Sequence, residues 1–173
     1  MNIEVKQGDI ANQPDITAIV NAANAQLKTG GGVAGAIHRA AGPGLEEECR
    51  KYAPINPGEA VITEAHKLPN EYVIHCLGPV YGVDHPEPTL LANCYRNALK
   101  LVEEHKIDSV AFPAISTGAF GYPLEQATDV AVSVLNEVGT DLASLKKLRF
   151  VLFSQTDLDV YQKKLNPLIN RLK

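Results

Sequence analysis

The chain has 173 residues, 45% of them hydrophobic, with 20 acidic residues against 16 Lys and Arg for a net charge of −4. This is the size of one domain, residues 1–173, with enough apolar material to fill a core without disulfide or metal staples. No apolar run approaches the ~20 residues of a membrane span, and no basic stripe offers a large nucleic-acid surface.

In chain order, Ile3–Gln7 reads as a strand ending at a Gly8-Asp9 turn, and Thr17–Asn21 as a second strand carrying the buried-type run "AIV". Residues 21–42, "NAANAQLKTGGGVAGAIHRAAG", follow it with two asparagines, three consecutive glycines and a small-residue helical pattern. Ordering Gly30, Gly31 and Gly32 is entropically costly, which points to a backbone need such as close approach to a ligand. "EEEC" at 46–49 reads as a solvated helix face with one inward Cys, before strands over Glu59–Glu64 and Tyr72–Cys76. Leu91, Cys94, Tyr95, Ala98, Leu101 and Val102 lie on one helical stripe, Ser109–Pro113 is a strand, and Ala127, Val130, Ala131, Val134, Leu135 and Val138 form the next stripe. A strand over Leu148–Ser154 precedes a helix carrying Leu158, Tyr161 and Leu165, which Pro167 is expected to break or restart. The order β-β-α-α-β-β-α-β-α-β-α predicts an α/β fold, a three-layer α/β/α sandwich with a mixed, largely parallel sheet. Ligands of such sheets bind beyond the carboxyl ends of the strands.

Three segments fall at those ends: the 21–42 stretch, "PAISTGAFGYP" at 113–123, and "SQTDLD" at 154–159. The first two are glycine-bearing loops leading into helices, so their amides and the helix N-termini suit an anion, and two facing loops suit a pyrophosphate. As bare loops they are equally readable as ordinary strand-to-helix turns. Gly30, Gly32 and Gly35 match G-x-G-x-x-G, but they begin nine residues after Asn21 and no strand-end acid follows at the right distance. There is no P-loop motif. His75 and Cys76 are adjacent on a strand, point to opposite faces and cannot pair, so both read as core. Ser116 lacks a G-x-S-x-G context because Ala114 holds the first glycine position. His38 reads as solvent-facing or supporting, and Asn21 as a brace for the loop backbone. Cys49, Cys76 and Cys94 are odd in number with no C-x-x-C spacing, which argues for a reduced, cytoplasmic protein and against a zinc site. Glu4 and Lys6 interrupt the first apolar residues, so the N-terminus does not read as a signal peptide.

"QGDI" at 7–10, "IVNAAN" at 19–24, "GGGVAGAIHRAAG" at 30–42, "VIHCLGPVY" at 73–81 and "PAISTGAFGYP" at 113–123 together resemble the macrodomain family across nearly the whole chain. The resemblance implies ADP-ribose binding and, in some members, removal of ADP-ribose from proteins. It implies that Asp9 accepts the adenine amine beside the Ile10 amide, and that Phe153 stacks on the adenine. Gly31, Gly32, Val33 and Ala34 would form one phosphate loop, and Ser116, Thr117, Gly118, Ala119 and Phe120 the other. Asn24 would hold the distal ribose and Phe120 would shape the water site, which makes these two the catalytic candidates. Where MacroD-type enzymes read G-G-G-V-D-G, this chain has Ala34, which cannot act as a base. Catalysis would then rest on positioning and electrostatics. The implied function is binding of ADP-ribose with hydrolysis of mono-ADP-ribose from proteins or of O-acyl-ADP-ribose. The alternative is a binding-only reader, and a phosphoesterase is disfavoured by the lack of an Asp/His cluster at strand ends. The resemblance calls for no cofactor and no metal, for ADP-ribosylated proteins or O-acyl-ADP-ribose as partners, and for no membrane or nucleic acid.

Overall fold

A computed structural model describes residues 1–172. The strands β1 (Asn2–Gln7), β2 (Ala18–Ala22), β3 (Ala60–Glu64), β4 (Tyr72–Cys76), β5 (Ser109–Phe112) and β6 (Lys147–Leu152) form one sheet in the order β1-β6-β5-β2-β4-β3. All neighbours pair in parallel except β3, which runs antiparallel to β4. The helices are α1 (Gly32–Ala41), α2 (Pro43–Cys49), α3 (Glu87–Glu104), α4 (Leu124–Val138) and α5 (Gln155–Leu172). The element order is the one the sequence predicts. Among the described residues no helix is long and apolar enough to cross a membrane.

Successive strand residues feed opposite layers. Val20, Ile74, Val110, Phe112, Leu148 and Phe150 join the core beneath α3, α4 and α5. Ile19, Val73, Ala111 and Val151 join a second core with Ile37 of α1 and Leu45 of α2. The period of two thus covers both faces of the sheet, which is why its strands read as continuous apolar runs. Aromatic rings tie the larger layer together, with centroids 5.4 Å apart for Tyr95–Phe112, 5.9 Å for Phe112–Phe150 and 5.3 Å for Phe150–Tyr161.

One expectation needs correction. Pro167 lies inside α5, which continues through it to Leu172. Proline removes one N–H and so one bond to the carbonyl four residues back, which here belongs to Lys163, on the exposed face of the helix. Buried Leu165 and Leu168 on either side keep the helix seated.

The sheet carries one buried cation. Arg149, only 4% exposed, donates to Asp15 Oδ1 at 2.9 Å and Oδ2 at 2.7 Å, to Glu4 Oε1 at 3.1 Å and to Gln13 Oε1 at 2.8 Å. Gln13 in turn donates to the Asp9 carbonyl at 2.8 Å, so this network pins the loop after β1. The Arg149 hydrogen bond holds the Asp15 carboxyl well below the usual carboxylate range. Burial raises Glu4, but Arg149 and the neighbouring lysines outweigh it and hold that carboxyl low as well. Two depressed carboxyls contribute stability that is complete above about pH 5 and is lost as the pH falls. Arg149→Ala should therefore cost about 1–3 kcal/mol near neutral pH, since it leaves a buried gap and removes the guanidinium from two partly solvated carboxylates that keep Lys147, 3.8 Å from each. Urea unfolding at pH 7 and pH 3 checks this. The gap between parent and variant should shrink at pH 3, and an equal gap at both would mean that packing, not the ion pairs, sets the cost.

Candidate functional site

Five parallel strands end at one edge of the sheet, and the segments leaving that edge carry Asp9, Ile10, Asn24, residues 31–34, residues 116–120 and Phe153. Register makes the alignment explicit at one end: Gln7 of β1 lies opposite Leu152 of β6. Gly8 N–H donates to the Leu152 carbonyl at 2.9 Å, and the Gln7 side chain donates to the Phe153 carbonyl at 3.3 Å. Asp9 is thereby set beside Phe153. Asp9 Oδ1 accepts the Ala11 N–H at 2.9 Å, a local turn that orients the exposed carboxylate, while the Ile10 side chain is buried beneath it. Phe153 is 91% exposed. The two residues before it fill both layers of the core, so the aromatic ring is not core material and stands in solvent at the strand end.

The loop after β2 is built to hold itself open. Asn24 spans it: its Nδ2 donates to the Lys28 carbonyl at 2.8 Å and its Oδ1 accepts the Lys28 N–H at 3.0 Å. A carboxamide has two N–H groups and two lone-pair sites, so one of each stays available. Leu27, at φ +55°, plugs into the core. Glu46 Oε1 accepts the Thr29 N–H at 2.8 Å, and that bond holds the Glu46 carboxyl low. Glu48 likewise accepts from the Glu64 N–H and lies 2.7 Å from His66 Nε2. The "EEEC" face is therefore partly structural, which differs from the solvated face expected. A Cβ on Gly35 would stand 2.3 Å from the Gly30 carbonyl oxygen, so glycine there lets the loop lie on α1. The helix opens at Gly31–Gly32 with no side-chain cap and no acidic residue in its first turn. Its first backbone bond is Gly35 N–H to Gly31 O, which leaves the N–H groups of Gly32, Val33 and Ala34 without helical partners. Uncapped amides at a helix N-terminus favour an anion.

The loop after β5 faces it from the neighbouring strand. Ser116 takes φ +68° and is 6% exposed, with its hydroxyl against Gly78, where a Cβ would meet Oγ at 2.0 Å. That hydroxyl has no protein partner. Tyr122 N–H returns to the Ser116 carbonyl at 2.9 Å and Gly121 N–H to Gly118 O at 3.0 Å, closing a hairpin of residues 116–122. Among the described residues, the N–H groups of Thr117, Gly118, Ala119 and Phe120 donate to no backbone acceptor. Phe120 packs against the same core cluster as Val33. This loop's anion capacity is its own, contrary to the expectation that both loops borrow a helix N-terminus. Here α4 begins three residues after Gly121 and carries Glu125 in its first turn.

Beneath the first loop sits a buried polar cluster that sequence spacing did not reveal. Asn21 Nδ2 donates to His75 Nδ1 at 3.1 Å, so Asn21 braces a strand histidine and not the loop backbone. His75 Nε2 lies 3.0 Å from Thr63 Oγ1, which itself donates to the Glu64 carbonyl, so the imidazole carries its proton on Nε2. Burial pushes His75 down to about 3, and it is neutral. Cys49 of α2 approaches the same nitrogen at 3.6 Å, but burial pushes its thiol up to about 12, which leaves no thiolate for nucleophilic chemistry. His75 and Cys76 do face opposite layers, and Cys76 donates to the Cys94 carbonyl. His38 is 3% exposed, not solvent-facing, because the third turn of α1 rotates it onto the sheet, 6.3 Å from the His75 ring.

The fold and site together define an α/β/α sandwich with two amide-rich loops and an exposed aromatic ring along one rim. Within that class, a family model described as Macro domain matches residues 20–131, and the chain belongs to the macrodomain family. It is 47% identical to an O-acetyl-ADP-ribose deacetylase of Salmonella typhimurium, across 92% of this chain and 91% of that protein. It is 44% identical to human ADP-ribose glycohydrolase MACROD2, across 95% of this chain but 39% of that longer protein. Its fold matches an Oceanobacillus iheyensis macrodomain, solved as a mutant with ADPR, at TM-score 0.91 and 40% identity, covering 97% of this chain and 94% of that one.

The glycines make different demands. Gly35→Ala should destabilise the fold by about 1–3 kcal/mol, since backbone must move to admit the methyl group. Gly31→Ala should be close to neutral for stability, because a Cβ there meets nothing within 4 Å and its φ of −91° suits any residue. Thermal unfolding of both variants distinguishes them, and equal losses would mean that the loop is not seated on α1 as described.

Proposed function

We propose that this protein binds ADP-ribose and hydrolyses its conjugates, removing mono-ADP-ribose from protein side chains or the acyl group from O-acyl-ADP-ribose. The observation that carries the reading is Phe153, which is 91% exposed at the end of β6 beside the Asp9 turn. An aromatic ring held at a strand end with no core role suits a stacked base, and the Asp9 carboxylate beside it suits an exocyclic amine. From β6 to β4 the sheet edge spans three strand spacings, about 14 Å, which is room for a base, a pyrophosphate and a second ribose in series. Amides of Gly31, Gly32, Val33 and Ala34 on one side and of Ser116, Thr117, Gly118, Ala119 and Phe120 on the other take the pyrophosphate. Neutral amides explain how a chain of net charge −4 accepts an anionic ligand.

Asn24 offers its remaining N–H and lone pair to the hydroxyls of the distal ribose, and Phe120 walls the space beside it. Hydrolysis consumes one water: its hydroxyl goes to one side of the broken C–O bond and its proton to the other. Ala34 supplies no base, and the nearby imidazoles of His38 and His75 are buried. Rate enhancement therefore comes from orienting the ribose and the water and from amide dipoles near developing charge. The relatives named as a deacetylase and a glycohydrolase support this reading over that of a binding-only reader. Three free, buried cysteines suit a reducing cytoplasm.

Phe153→Ala should leave the melting temperature unchanged and weaken ADP-ribose binding by about 1–3 kcal/mol, the usual worth of a base–aromatic stack. Titration calorimetry reads this directly, and an unaltered affinity would remove Phe153 from the adenine site. Asn24→Ala should slow single-turnover release of ADP-ribose from a modified protein on the order of 100-fold while costing far less affinity. A parent that binds ADP-ribose but turns over neither a modified protein nor O-acetyl-ADP-ribose would instead establish the reader.

A further inference from the structure

Among the described residues, two of the four exposed large apolar side chains, Tyr81 at 40% and Val83 at 69%, share one loop. A lone exposed apolar residue is ordinary, but a pair on a shaped loop is less so. The loop leaves β4 on the side of β2 away from β6, so it lies at the opposite end of the cleft from Phe153. It is bonded to the lip of the site. Tyr81 N–H donates to the Phe120 carbonyl at 2.8 Å, and the Tyr81 ring packs on Tyr122 at 5.0 Å. Its own backbone is closed internally. Val83 and Asp84 N–H return to the Val80 carbonyl at 3.1 and 2.9 Å, Val80 N–H reaches Asp84 Oδ2 at 2.8 Å, and Gly82 N–H reaches Glu87 Oε2 at 3.2 Å. The loop is therefore shaped, with Val83 at its outward tip. Nothing in its bonding explains an apolar tip: glycine or serine would serve a turn better.

Resting on the hydrolase reading above, we infer that the Tyr81–Asp84 loop receives the polypeptide that flanks the modified side chain of an ADP-ribosylated protein. On that reading ADP-ribose runs from Phe153 past Phe120 to Asn24 on the loop after β2, so whatever is joined to the distal ribose leaves the cleft over the loop of the strand beyond, β4, which is this one. Val83 and Tyr81 offer an apolar contact to a residue next to the modified one. Asp84 behind them makes neutral or basic flanks more compatible than acidic ones, while the Glu87 carboxylate is taken up by His85 at 2.8 Å. A small conjugate such as O-acetyl-ADP-ribose carries nothing long enough to reach Val83.

The test is Val83→Asp, with Val83→Leu as the conservative control and melting temperatures to show that both fold. Three quantities are measured: the affinity for free ADP-ribose, the single-turnover rate on O-acetyl-ADP-ribose, and the half-saturating enzyme concentration for a mono-ADP-ribosylated protein. Direct binding of the modified protein replaces the last if it is not cleaved. Val83→Asp should weaken engagement of the modified protein about five- to tenfold, the worth of one well-packed apolar contact, and leave the two small-molecule measurements within error. Val83→Leu should restore protein engagement. An equal loss on all three, or no loss on the protein, overturns the docking loop while leaving the hydrolase reading intact. A parent that does not bind ADP-ribose at all overturns both.

Discussion

Parallel alignment of five strands is the constraint from which the site follows. In an antiparallel sheet the loops would alternate between edges. Here β1, β6, β5, β2 and β4 all deliver their carboxyl ends to one edge. Gln7 and Phe153 meet across 146 residues of chain, and Asp9, Phe153, the two glycine-bearing loops and the Tyr81 loop line one rim. The alignment in turn demands helices on both faces, since parallel strands are joined by crossovers that bury both sides. The α1–α2 layer and the α3–α4–α5 layer meet that demand with separate apolar clusters.

On this frame the chemistry is assembled from uncharged groups. The loops present backbone N–H groups where a basic cluster would be the obvious alternative, and the first turn of α1 carries no acid to compete with an anion. Beneath them Asn21, His75, Thr63 and Cys49 are packed with their ionisable members held neutral by burial. A neutral underlayer supports the loop without placing a charge beneath its uncapped amides. Arg149, the one buried cation among the described residues, sits instead on the β1 side, where Glu4 and Asp15 neutralise it and Gln13 carries its hold to the Asp9 carbonyl. Stability and site shape are therefore coupled at Asp9 but separate at Phe153, whose ring is free of the core.

Much of this was legible in the residues themselves. Apolar runs of four or five residues marked buried strands, 3.6-residue stripes marked the helices, and the cost of three consecutive glycines marked a loop with a backbone purpose, because each of these is a local property. That Ala34 stands where MacroD-type enzymes have an aspartate came from the family resemblance, and the absence of a base there needs no fold to be known. Tertiary structure alone decided the rest. Phe153 reads as apolar and strand-terminal, and only the packing of Val151 and Leu152 into opposite layers left its ring in solvent. His75 could not pair with its neighbour Cys76, but nothing in the spacing announced that Cys49, 26 residues away, would meet it through the docking of α2. His38 was turned inward by the pitch of α1 against the sheet, and Pro167 was tolerated on the exposed face of a helix that buried Leu165 and Leu168 keep seated. These outcomes depend on which elements meet, and a contact between distant elements leaves no periodic trace in the chain.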